Sequence, residues 1–100
     1  MINNILKKKP RKNKNRLENI QRSKEIKKII AQECGMDVAS VHNKTSFMSG
    51  QNISYFDSIS ALYVLQKTFH VRLPESSYVK YRTVGDLIKD VNRQVRKFSR

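Results

Sequence analysis

A chain of 100 residues folds as one small domain with a modest core and little room for a deep catalytic cleft, which argues against an enzyme. A single cysteine, Cys34, rules out an internal disulfide, and with only His42 and His70 as companions no zinc-ligand spacing exists. The formal net charge of +13 is unevenly spread: residues 1–24 hold nine Lys or Arg against one acid, Glu18, leaving twelve against seven for the remainder.

The first 16 residues include Lys7-Lys8-Lys9-Pro10-Arg11-Lys12-Asn13-Lys14-Asn15-Arg16 and offer too little apolar surface to offset the entropy of ordering. They are expected to form a basic, disordered arm, either a solubilising tail or a contact for RNA, anionic membrane or an acidic protein. Met1-Ile2-Asn3-Asn4-Ile5-Leu6 is too short for a signal-peptide apolar core, and no apolar run approaches the roughly 20 residues that span a bilayer. A soluble, cytoplasmic protein is the expectation, with mitochondria or another organelle as the alternative location.

The folded domain is expected over residues 17–100. Leu17, Ile20, Ile26, Ile29 and Ile30 recur at helical spacing, and Gly35 supplies a stop. Residues 36–54 carry Gly50, several Ser and Asn, and scattered apolar residues, the mark of a long loop pinned by a few side chains. A second helix covers Phe56, Ile59, Leu62, Tyr63, Leu65 and Phe69, with Asp57 or Ser58 as its N-terminal cap. Pro74 opens a short third helix through Tyr78 and Val79. Thr83 caps a last helix whose apolar stripe is Val84, Leu87, Ile88, Val91 and Val95. Strand-type alternation persists nowhere, so the predicted fold is all-α: a small four-helix bundle of three main helices and one short one, with a long loop after the first.

Asp57-Ser58-Ile59 at the start of an apolar helix, Phe69 near its end and Leu73-Pro74-Glu75 beyond it resemble the modification site of acyl carrier proteins. The resemblance extends over residues 25–95, through Ile26-Lys27-Lys28-Ile29-Ile30, Gly35, Val41, Thr45-Ser46-Phe47 and Thr83-Val84. It implies a carrier rather than a catalyst. A serine at the start of the second helix would hold 4'-phosphopantetheine, whose thiol carries an acyl group, as in fatty acid biosynthesis but here in a specialised lipid or secondary-metabolite pathway. A helix N-terminus suits that phosphate, because its free N–H groups and dipole face the anion. Ser58 matches the attachment residue, flanked by Asp57 and Ile59. The implied partners are a phosphopantetheinyl transferase and acyl-transferring enzymes, and a monomer is the default state of the fold.

Two departures stand out. Ser58 lies 11 residues before Phe69, about one turn closer than the family pattern. Laid on that pattern without gaps, Phe47, Phe69, Pro74 and Val84 coincide with it, while Tyr55 takes the serine position and Ser54 the preceding aspartate. Two registers follow: a carrier modified at Ser58, or a degenerate non-carrier fold acting as a structural or interaction subunit. The second departure is charge. Members of the family bear acids on the second helix; here Ser58 to Phe69 has none and includes Lys67. Lys67, Arg72, Lys80, Arg82, Lys89, Arg93, Arg96 and Lys97 call for partners with acidic or neutral docking surfaces. A competing reading is an RNA- or DNA-binding protein, resting on the charge and on Tyr55, Tyr63, Tyr78 and Tyr81 as stacking residues, although Tyr63 also fits bundle packing.

Overall fold

The computed structural model describes residues 2–74, 76 and 80–98, with side chains between 16 and 96. Three helices carry the fold: α1 (Ile2–Cys34), α2 (Tyr55–Phe69) and α3 (Val84–Phe98), with a 3-10 turn over Val38–Ser40 in the long loop. The only β-type pairing among the described residues is an isolated bridge between Ser46 and Thr83. The all-helical prediction therefore holds. The expected short helix after Pro74 falls largely on residues 75 and 77–79, outside the described residues.

Helix α1 starts far earlier than position 17. Its backbone is helical from Ile2, where composition predicts a disordered arm. Lys and Arg are good helix formers, and extending an existing helix avoids the nucleation cost that an isolated arm would meet. At the other end α1 stops where the sequence predicts. Gly35 adopts φ 63°, a left-handed conformation that costs glycine nothing, and the Met36 amide donates back to the Ala31 carbonyl at 2.9 Å.

The core brings one face of each helix together. Ile26, Ile29, Ile30 and Ala31 come from α1; Ala61, Leu62 and Leu65 from α2; Val84, Leu87, Ile88 and Val91 from α3. The loop contributes Val41, Phe47, Met48 and Ile53, so it is pinned by side chains as its composition predicts. Leu17 and Ile20, read as part of the α1 apolar face, are instead exposed, because the buried stretch of α1 begins only at Ile26. Across the bundle, Arg22 of α1 donates to Asn92 of α3 at 2.9 Å and to Asn19 at 3.0 Å.

The start of α3 is tied to the loop. Phe47 donates to the Arg82 carbonyl at 2.9 Å, and Val84 donates to the Thr45 carbonyl at 2.9 Å. Thr83 caps α3 as predicted: its hydroxyl accepts from the Asp86 amide, and the Asp86 carboxylate accepts from the Thr83 amide, each at 3.2 Å. That reciprocal pair is a capping box. Further along α3, Asp90 is only 5% exposed and is held by the Tyr81 hydroxyl, Arg93 and Lys80. Burial raises its carboxyl pKa, but the hydrogen bonds from Tyr81 and Arg93 and the neighbouring cations outweigh this, and the net displacement is downward. Tyr81 moves the other way: burial, then its bond to Asp90, pushes its phenol well above the usual range.

Candidate functional site

The loop enters α2 through Ser54, whose extended backbone (φ −61°, ψ 150°) and side-chain oxygen, accepting from the Asp57 amide at 3.0 Å, make it the N-terminal cap. This corrects the expectation that Asp57 or Ser58 caps the helix. The cap lies three to four residues earlier, because Ser54 meets the requirement for a short acceptor side chain just outside the first turn. Tyr55, Phe56 and Asp57 then form the first turn, with Asp57 the acidic residue at the positive end of the helix dipole.

Ser58 lies one step further, at the start of the inward face that Ala61, Leu62 and Leu65 continue. It is 0% exposed. Its hydroxyl accepts from the Met48 amide at 3.1 Å and donates to the Ser54 carbonyl at 3.1 Å. Met48 adopts φ 56°, unusual for a residue with a side chain, so the loop turns sharply at the point where Ser58 holds it. Both hydroxyl roles, donor and acceptor, are engaged in holding the loop to the helix.

Asp57 and Ile59 flank it differently. The Asp57 carbonyl accepts a long contact of 3.7 Å from the Cys34 thiol at the end of α1. Cys34 is half-buried at the edge of the core. Burial first, then the Asp57 and Glu33 carboxylates, push its pKa up to about 11. Ile59 is half-buried, and with Leu62, Tyr63, Gln66, Leu73 and Pro74 it lines a cavity of about 130 Å³ beside α2.

The outward side of α2 is aromatic. Tyr55 is 47% exposed, Phe56 79% and Tyr63 60%. Phe56 and Tyr63 fit the apolar spacing of this helix, yet they point away from the bundle. The inward face is already filled at spacings of three and four by Ser58, Ala61, Leu62 and Leu65, which puts positions 56 and 63 on the opposite side. The Lys67 ammonium sits 4.9 Å above the Tyr63 ring. Of the four tyrosines considered for base stacking, Tyr81 is in the core, Tyr78 lies outside the described residues, and Tyr55 and Tyr63 are on the surface. His42 and His70 are both exposed. Among the described residues there is no group of three His, Cys, Asp or Glu side chains able to hold a metal ion.

Over 64 residues the chain is 30% identical to an acyl carrier protein of Chlamydia caviae, a match that spans 64% of this chain and 83% of that protein. No family model matches the chain.

Proposed function

Because this chain belongs to the acyl carrier protein family, we propose that it keeps the family fold without the family's prosthetic group, and acts by binding a partner surface. Membership agrees with a protein that is not an enzyme. Members of the family in general carry 4'-phosphopantetheine. The observation that carries our reading is the burial of Ser58. A transferase needs a short, exposed hydroxyl at the helix start, and Ser58 instead has a fully enclosed hydroxyl engaged with Met48 and Ser54. As placed, it does not fit the attachment.

The start of α2 supports the ungapped register. In that register Ser54, the cap, falls on the aspartate that precedes the family's serine, and Tyr55, the first helical residue, falls on the serine itself. A phenol is bulkier and more acidic than a primary alcohol and sits further from the backbone, so Tyr55 does not supply the missing nucleophile. Ser54 is exposed, but its oxygen serves the cap. The electrostatics support the same reading. Asp57 is the one acid of α2, so steering onto the basic surfaces that acidic carriers meet is absent, and acidic or neutral partner surfaces fit better.

The experiment is treatment of the full chain with a broad-specificity phosphopantetheinyl transferase, followed by peptide mapping. Our reading expects no modified peptide. Attachment at Ser58 would overturn it and establish a working carrier with a shifted site.

A further inference from the structure

The outward face of α2 carries exposed aromatic rings that the core does not use. Phe56 and Tyr63 lie seven residues apart on one side of the helix, with half-buried Ile59 between them and Lys67 one turn beyond. Seven residues make about two turns, or roughly 10 Å, so the two rings form one continuous stripe. The core closes without either ring, and leaving Phe56 79% exposed brings no packing benefit to the bundle.

We infer that this face docks on an anionic membrane surface, with Phe56 and Tyr63 entering the headgroup layer and the chain's cations meeting the lipid phosphates. The inference rests on the reading that the protein binds rather than carries, and it names the surface bound. Three observations select the occupant. First, Lys67 stacks its ammonium over Tyr63, an apolar stem and ring ending in a charge, the pattern suited to a water–lipid boundary. Second, the positive excess is spread along the chain, from the basic stretch of residues 1–24 to the cations of α3. An extended anionic plane neutralises such a distribution, whereas a local acidic patch on one protein meets only part of it. Third, the convex back of a single helix offers no groove for a nucleic-acid strand, and a second copy of a +13 chain is repelled. No helix among the described residues is long and apolar enough to cross a membrane, so the contact is a surface one.

The chain contains no tryptophan, so a Phe56→Trp variant of the full chain gives a single fluorescent reporter on the face itself. It is titrated with vesicles of phosphatidylcholine and phosphatidylglycerol in equal parts, and with phosphatidylcholine alone, after circular dichroism confirms unchanged helix content. The expected result is a blue-shifted emission, protected from an aqueous quencher, with the anionic vesicles only. Adding Tyr63→Ser should weaken binding about tenfold. In parallel, the unaltered chain should sediment with anionic vesicles, and Phe56→Ser should reduce the bound fraction. Binding with an unshifted tryptophan would overturn the inference by locating adsorption elsewhere. No vesicle binding, alone or with retention of polyuridylate, would overturn it as well, the latter in favour of nucleic acid. Transferase modification of Ser58 is read by mass, so failure of the non-carrier reading and failure of the membrane inference are told apart.

Discussion

The Met48 amide donates to the Ser58 hydroxyl at 3.1 Å, joining the sharp turn of the loop to the first turn of α2 across ten residues of sequence. Because the same hydroxyl donates to the Ser54 carbonyl, one buried side chain couples the loop, the cap and the helix. Ser58→Ala would leave the Met48 amide buried without an acceptor. The expected loss is about 1–3 kcal/mol of unfolding free energy, measured by urea denaturation. A change near zero would show that Ser58 does not hold the loop.

Ser54→Ala removes the acceptor for the Asp57 amide. We expect destabilisation of about 1 kcal/mol, and Ser54→Asp should retain most of the stability, since Asp caps equally well. If Asp57 rather than Ser54 were the cap, the order of effects in a thermal-melt series would reverse.

The fold was legible in the sequence wherever a single physical requirement dominated. Gly35 marked the end of α1 because a left-handed residue was needed there, and Val84, Leu87, Ile88 and Val91 marked the buried face of α3 by their spacing. The start of α2 was harder to read. Ser54, Asp57 and Ser58 are all competent caps, and nothing local chooses between them. The choice is made by tertiary contacts, since Ser58 faces inward to meet Met48 and Ser54 is left outside. For the same reason Phe56 and Tyr63 looked like core: aromatic residues at helical spacing carry no mark of which side faces solvent. The gapless alignment of Phe47, Phe69, Pro74 and Val84 and the Asp57-Ser58-Ile59 triplet point to different registers, and our proposal follows the first because spacing fixed by packing is harder to change than a local match.

Acid should weaken the α3 end of the bundle through Asp90. Its carboxyl pKa is lower in the folded chain than in the unfolded one, so the ionised group contributes stability at pH above the ordinary Asp value, about 3.9. That contribution is lost as pH falls through the depressed folded value. Unfolding free energy measured against pH should therefore fall in this acidic window, and Asp90→Asn should flatten the slope there. An unchanged slope in the variant would contradict the assignment.

Cys34 should be a slow thiol. With a pKa of about 11, its thiolate fraction at pH 8 is roughly two orders of magnitude below that of an ordinary cysteine, and half-burial slows access further. Iodoacetamide labelling followed by mass spectrometry should show slow modification that accelerates in denaturant. Labelling at the rate of a free thiol would contradict the raised pKa.

The most direct measurement is intact mass after co-expression with a broad-specificity phosphopantetheinyl transferase, under conditions that convert an ordinary carrier fully. The account predicts an unmodified chain, and it assigns any site gained by Tyr55→Ser to position 55, where the helix begins. A gain of one phosphopantetheine in the unaltered chain that disappears in Ser58→Ala would contradict it, and would require the first turn of α2 to open and release a hydroxyl that the folded chain encloses.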